Sequence, residues 1–241
     1  ATAEVGEIVG QNAAVALGET SFSNIALDVF KYSSKKIALP FELVQDSFIA
    51  IEAYVQGLLA MRVGRLQNTH FTVGAGTTLP FGIVTEAPGA AAATGNATSF
   101  SYDALVTHVH TLDRAYRAMP GCAWMMSDTM LRELRKVKDS QSRPIFVPGY
   151  ETGSPAGEPD RLLGFPIVVN NDVAAPAANA KSVLFGVLSK YVIRDVMDLT
   201  LFRMTDSAFT LNGQIGFVGF MRSGGRLIQS GGAVKYLQNS A

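Results

Sequence analysis

The clearest pattern of apolar and polar positions lies in residues 40–66 and follows the period of an α-helix. Apolar residues recur there at spacings of three, four and seven, which predicts a helix with one buried face. Pro40 suits the first turn, because its missing N–H would have no partner there. A helix of roughly 26 residues is about 39 Å long, whereas a typical helix has about 11–12 residues. The segment therefore indicates a long structural support with this apolar face: Val44, Phe48, Ile51, Val55, Leu58, Leu59, Val63 and Leu66.

A second pattern alternates with period two in residues 22–31. Ile25, Leu27 and Val29 fall on one side and polar or small residues on the other, which predicts a strand with one buried face. A polar turn at 32–36 and a short partner strand at 37–39 complete a predicted two-stranded flap. An isolated hairpin is marginally stable in water, so we expect this flap to lean on another subunit.

The rest of the chain mixes helical and strand patterns without strict alternation. This mixture predicts the α+β class. We expect helices at 102–116 and 128–138, and strands at 122–126, 145–147, 162–169, 182–188, 191–193, 199–204, 214–221 and 233–237, with 182–188 paired to 191–193.

Composition narrows the classes of function. Of the 241 residues, 48% are hydrophobic and only 17% charged, which is low for a freely soluble monomer and fits a surface largely covered by partners. Lys plus Arg and Asp plus Glu are both 20, so the zero net charge argues against a dedicated nucleic-acid binder. The single cysteine, Cys122, excludes an intrachain disulfide. No apolar run approaches the roughly 18 residues of a membrane span. A reducing compartment such as a bacterial cytoplasm fits these features.

Candidate chemistry is sparse. His108 and His110 lie two positions apart on a predicted helix and face different ways, so they cannot share a metal, and His70 is remote in sequence. The glycine-rich residues 74–78 lack the Gly-Lys-Ser/Thr ending of a phosphate loop, and there is no nucleophile elbow. We predict no catalytic, cofactor or metal site. A cytoplasmic α+β hydrolase using His108 or His110 with a nearby serine stays open as an alternative.

Lysine and arginine residues form two clusters, which we interpret mainly as solvated faces. The sharper alternative is that they form ion pairs at the rims of subunit interfaces, where such pairs favour specificity more than affinity. The first cluster contains Lys31, Lys35 and Lys36, and the second contains Arg132, Arg135, Lys136 and Lys138.

An ordered set of short motifs extends through nearly the whole chain. It resembles the major capsid proteins of tailed bacteriophages, which have the Hong Kong 97-type fold. Each motif alone is weakly diagnostic, whereas their order is specific. The motifs are LVQDS at 43–47, NTHF at 68–71, GAG at 74–76, PFGI at 80–83, LDRAY at 112–116, AWMMS at 123–127, LRELRKVKD at 131–139, RP at 143–144, LLGFP at 162–166, VVNND at 168–172, FG at 185–186, Tyr191 and AVK at 233–235.

The resemblance implies a division of the chain. Residues 1–39 would be the extended loop, with the family's N-terminal arm absent from the sequence. Residues 40–83 and 198–222 would form the peripheral domain with its spine helix, and residues 84–197 and 223–241 the axial domain. The expected contacts with other subunits lie on the extended loop and comprise Phe22, Ile25, Leu27, Val29, Lys31, Lys35 and Lys36.

The function implied by the resemblance is that of a non-enzymatic shell protein. Its copies would form the hexamers and pentamers of an icosahedral phage head, enclosing double-stranded DNA without sequence-specific binding. The protein would be made in the host cytoplasm and reside in the virion, with no membrane partner. Further partners that the family offers are portal, scaffold, maturation protease and decoration proteins. An encapsulin-like nanocompartment, with the same fold and a protein cargo, is the alternative.

Overall fold

A computed structural model describes residues 8–9, 11, 14–15, 24–47, 50–92, 95–138, 161–228 and 232–241. The strands are β1 Phe30–Ser33, β2 Ile37–Pro40, β3 Gly89–Ala91, β4 Cys122–Met126, β5 Arg161–Leu162, β6 Phe165–Val169, β7 Lys181–Val187, β8 Tyr191–Met204, β9 Gln214–Leu227 and β10 Val234–Gln238. The helices are α1 Phe41–Asp46, α2 Ile51–Val73, α3 Ile83–Glu86, α4 Tyr102–Thr111, α5 Arg114–Arg117, α6 Asp128–Arg135 and α7 Ser207–Thr210. This mixture confirms the α+β class. The predicted strand at 145–147 lies outside the described residues.

A long antiparallel ribbon of β8 and β9 forms the centre of the first sheet. Each strand has 14 residues, and the pairing runs from Tyr191 opposite Leu227 to Met204 opposite Gly216. The register shifts twice, between Asp195 and Met197 and between Met197 and Thr200. The predicted pairing of 191–193 with 182–188 is wrong, because the first residues of β8 pair with the end of β9 while β7 pairs with β4 and β10.

The other edge of β9 is occupied by β1 and β2, one after the other. Phe30 lies opposite Ser223 and Ile37 opposite Phe217, so both strands run antiparallel to β9. The predicted two-stranded flap is therefore wrong: residues 30–40 form one interrupted strand, because β9 is long enough to pair with both pieces.

A bulge at residues 34–36 joins these two pieces. Lys35 has a φ of 59°, in the left-handed region. Ser34 keeps the ladder closed, because its N–H donates to the Gly219 carbonyl (3.0 Å) and its Oγ accepts from the Gly219 N–H (2.8 Å). The bulge re-aims the strand without leaving these buried polar groups unpaired.

The predicted long helix is shifted and interrupted. The structure has the short α1 directly after Pro40, an extended backbone at Ser47, and then the 23-residue α2, about 34 Å long at about 1.5 Å per residue. The helix also continues past the predicted end at Leu66 to Val73. Phe48 lies outside the described residues. The buried side chains of α2 include Val55, Leu59 and Val63, and the first two pack on Ile215 and Phe217 of the ribbon.

The second sheet has six strands in the order β3-β10-β7-β4-β6-β5. Its core includes residues of α4 and α6, and the largest fully buried side chain is Trp124, whose Nε1 donates to the Leu162 carbonyl (2.9 Å). The predicted domain boundaries at 198 and 222 both fall inside the ladder of β8 and β9, which runs through them.

Candidate inter-subunit surface

The predicted contact segment lies at one end of the ribbon. Residues 24–29 have no regular strand hydrogen bonding, yet their exposure alternates as the sequence pattern predicts. Ile25, Leu27 and Val29 are half-buried against their own chain, whereas the residues between them are exposed. Each apolar side chain therefore keeps some surface for another molecule. Phe22 lies outside the described residues.

The three lysines expected at the interface have different surroundings. The Lys31 Nζ lies 4.4 Å from the centroid of the Phe220 ring, and the Lys36 Nζ lies 5.7 Å from that of Phe209. These are cation–π contacts within one chain. Lys35 lies exposed in the bulge. The bulge thus presents Lys35 to solvent, whereas Lys31 and Lys36 contact aromatic rings of β9 and α7.

Exposed apolar residues accumulate along β8 and at the ribbon tip. Among the described residues, no strand pairs with the second edge of β8. Ile193, Val196 and Phe202 on this strand are each about half exposed, and Leu211 at the tip is 86% exposed. Single exposed apolar residues are normal, but a long edge strand carrying several of them is a ready site for association.

The outer face of α2 carries a stripe of a different kind. Tyr54, Gly57, Met61 and Gly64 follow one another at helical spacing, and Tyr54 is 69% exposed. A Cβ added at either glycine would meet nothing within 4 Å. Within the described part of the chain the glycines therefore have no packing role, although each weakens the helix by roughly 1 kcal/mol relative to alanine.

The histidines do not form a site. His108 is buried against Trp124 and Phe185, and burial lowers its pKa to about 4. Burial also lowers the pKa of His70, whose Nδ1 lies 3.3 Å from the Tyr32 hydroxyl. His110 is exposed, with its Nδ1 3.2 Å from Arg117. The described parts of the chain hold no cluster of His, Cys, Asp or Glu side chains suited to a metal ion.

The remaining candidates have structural roles. Gly74 ends α2 where an added Cβ would lie 2.1 Å from the Pro80 carbonyl oxygen, and Gly76 has a φ of 80°. These glycines allow the tight turn after the helix. Cys122 is buried, which raises the pKa of its thiol. Among the helices of the described segments, none is long and apolar enough to cross a membrane.

Apolar surface along a long sheet edge is typical of a protein that works by assembly. The sequence profile of the phage capsid family matches residues 1–239, so the chain belongs to that family. Its members are structural proteins, and the prediction that the chain is not an enzyme is confirmed. The comparison with curated proteins finds no match.

Solved structures agree with the family. The chain is similar to the capsid protein of a native GTA particle determined with C5 symmetry, with 26% identity and a TM-score of 0.82 over 97% of this chain and 80% of that one. For the empty GTA particle, the identity is 28% and the TM-score 0.81, over 98% and 81%. A protein of Mycobacterium phage Adephagia shares the fold at 13% identity, with a TM-score of 0.69 over 98% and 80%. The expected capsid fold is confirmed.

Sequence reasoning missed the residues that hold the contact segment in place. Arg226 and Glu86 form a partly buried ion pair, with Nε and Oε1 2.8 Å apart, and Arg226 also reaches the Ala26 carbonyl. In the sequence, Arg226 lies 140 positions after Glu86 and 200 positions after Ala26. The only local signal is a lone arginine after the glycine pair 224–225, which by itself indicates no partner.

Proposed function

We propose that this chain is the major shell protein of a tailed double-stranded DNA phage or prophage. Its copies form the hexamers and pentamers of an icosahedral head that encloses the genome. The observation that carries the proposal is the likeness, over nearly the whole chain and at 26% identity, to the subunit of a capsid determined with C5 symmetry. A fivefold arrangement is what a pentamer of such a shell requires.

The proposed domains follow the two sheets. Residues 40–83 and 198–222, with α2 and most of the ribbon, make the peripheral domain. Residues 84–197 and 223–241, with the six-stranded sheet, make the axial domain around the centres of hexamers and pentamers. The separate cores support this division: one cluster joins α2 to the ribbon, and another joins α4 and α6 to the six-stranded sheet.

The extended loop, residues 1–39, joins neighbouring copies. Ile25, Leu27 and Val29 are the apolar contacts with the neighbour, together with Phe22, and Lys31, Lys35 and Lys36 lie at the rim. The half-burial of the first three in the single chain supports this role, because a complete interface would cover the remaining apolar surface. Repeated copies of one heterologous contact close into rings when the rotation permits.

Net charge favours the same arrangement. With 20 basic and 20 acidic side chains, close-packed copies do not repel one another through a net charge. DNA is enclosed without sequence-specific contacts, since a neutral wall gives little of the phosphate neutralisation on which binding depends. Portal, scaffold, maturation protease and decoration proteins remain proposed partners, as does synthesis in the host cytoplasm.

Electron microscopy and native mass spectrometry of the full-length gene product, expressed in a bacterial host, test the proposal. We expect hexamers, pentamers or closed icosahedral shells, and DNA in particles recovered from a phage lysate. Shells that contain a protein cargo instead would favour an encapsulin-like compartment. A discrete monomer or dimer with hydrolytic turnover would contradict both shell functions.

A further inference from the structure

The contact segment, the N-terminal residues 24–29, lies against the ribbon, where three features of the chain hold its backbone. The guanidinium of Arg226 donates from an Nη1 to the Ala26 carbonyl (3.2 Å), and Arg194 on the neighbouring strand approaches the Leu27 carbonyl (3.5 Å). Both arginines therefore contact main-chain oxygens, which are available whatever side chains the segment carries. The contact fixes the path of the segment without depending on its sequence.

Gly224 provides the space in which the segment lies. A Cβ at this position would stand 1.8 Å from the Asp28 carbonyl oxygen and 3.0 Å from its carbon. Since real side chains do not come so close to a backbone oxygen, only glycine lets the segment lie on β9 here.

The Arg226 side chain is itself held from two sides. Its Nε donates to Oε1 of Glu86 (2.8 Å), while the other carboxylate oxygen accepts the Leu227 N–H (2.7 Å). The Cζ of Arg226 lies 4.5 Å from the centroid of the Phe81 ring. The Glu86 side chain is only 9% exposed. A planar guanidinium paired with a fixed carboxylate and stacked on a ring has little rotational freedom left.

We propose that Arg226 is a positioning residue for assembly. With Glu86 and Gly224 it fixes the direction in which the N-terminal segment leaves the subunit, before any neighbour binds. The inference rests on the proposed function, in which that segment reaches another copy. A segment held in its bound direction loses less conformational entropy on association, and it meets the neighbour at one angle.

A distance measurement tests the direction itself. Spin labels on Asn24→Cys and Gln56→Cys, both exposed positions, report the path of the segment relative to α2 by pulsed electron paramagnetic resonance of dilute subunits. The only native cysteine is the buried Cys122. We expect one narrow distance distribution for the labelled parent chain. Arg226→Ala and Gly224→Ala should each widen it at least twofold, the first by removing the donor and the second by filling the space.

Arg222→Ala is the matched control, because Arg222 lies exposed on the same strand. It should leave the distribution narrow. Circular dichroism checks that each variant folds, and the two variants act through different atoms, so a folding failure of one leaves the other informative. A broad distribution in the parent chain, or an unchanged one in both variants, overturns the proposal.

Assembly of the same variants separates this proposal from the proposed function. We expect Arg226→Ala and Gly224→Ala to lower the yield of uniform shells at least tenfold and Arg222→Ala to preserve it. If the parent chain forms no shells while the distance pattern holds, the proposed function fails and the positioning of the segment stands. If Arg226→Ala and Gly224→Ala form shells as uniform as those of the parent chain, the role of Arg226 in assembly is overturned.

Discussion

The His108 side chain on α4 is buried beside aromatic residues of the six-stranded sheet. Its ring lies 6.0 Å from Trp124 and 6.3 Å from Phe185, and its Nε2 has no hydrogen-bond partner among the described residues. Burial disfavours the charged imidazolium and lowers the pKa to about 4, and a hydrogen bond with the Lys235 backbone only partly offsets this. The residue that resembled a candidate base is therefore part of a core.

This burial makes the stability of the subunit depend on pH. The neutral form is favoured in the folded state, so the unfolded chain binds more protons between pH 6.5 and about pH 4. The folded state should lose about 3 kcal/mol from this residue as the pH falls through that window. Denaturant titrations at pH 7 and pH 4 measure the loss. His108→Leu should remove it, whereas His110→Gln, at an exposed position on the same helix, should retain it. An equal loss in His108→Leu and the parent chain would contradict the assignment.

The bulge between β1 and β2 depends on one hydroxyl. Ser34 is 2% exposed and takes the place of a backbone acceptor for the Gly219 N–H. Because β9 lies 185 residues further along the chain, the sequence around Ser34 shows only a polar turn. The alternating burial of residues 24–29 was predictable from local pattern, while the partner of the strand was not.

Ser34→Ala leaves the Gly219 N–H buried without an acceptor. An unsatisfied buried donor costs about 1–3 kcal/mol. We expect the free energy of unfolding to fall by that amount in denaturant titrations at neutral pH. The neighbouring Ser33→Ala, at an exposed position, should change it by less than about 0.5 kcal/mol. Equal effects of the two substitutions would show that the Ser34 hydroxyl does not support the ladder.

The helix α2 was predictable in kind but not in its limits. Its apolar pattern fades after Leu66, yet the helix continues to Val73, and polar residues in this part bond to the loop after β6. Asn68 donates to the Asn170 side chain (3.0 Å), and Asn170 donates to the Thr72 hydroxyl (2.8 Å). These bonds join positions about one hundred residues apart, which no periodicity reveals.

Replacing glycines by alanine should change the stability of the subunit in opposite directions on the outer stripe of α2 and at Gly82. Gly57→Ala and Gly64→Ala should each stabilise the dilute subunit by about 1 kcal/mol, because the added Cβ meets nothing and alanine favours the helix. Gly82→Ala should destabilise it, since its Cβ would lie 2.6 Å from the Thr72 carbonyl oxygen. Thermal unfolding measures all three. A loss of stability at Gly57 or Gly64 would show that the stripe is packed within the subunit.

The family, the fold class and the absence of an enzyme activity followed from the ordered motifs of the sequence. The contact residues could be predicted only in part from the sequence. Alternation placed Ile25, Leu27 and Val29 on one side, but the stacking of Lys31 on Phe220 and the Arg226–Glu86 pair depend on how distant segments meet. Tertiary placement decides such contacts, and one sequence carries little information about it.

The two sides of the contact segment can be distinguished by substitution. Leu27→Lys should reduce shell yield at least tenfold, because a charge would be buried in the proposed apolar contact. Asn24→Lys, on the exposed side of the same segment, should assemble as the parent chain does. Electron microscopy of both preparations at equal concentration compares the yields. Equal assembly would place the contact on the other side of the segment.

The two register shifts in β8 have a mechanical consequence. They lie between Asp195 and Thr200, at the proposed boundary of the two domains, so the ribbon is continuous there but locally irregular. Irregular pairing increases the local twist of a strand. In the proposed shell, we expect the β8–β9 ribbon to change its twist locally at these shifts. One subunit would then fit rings of five and of six while the two strands stay paired.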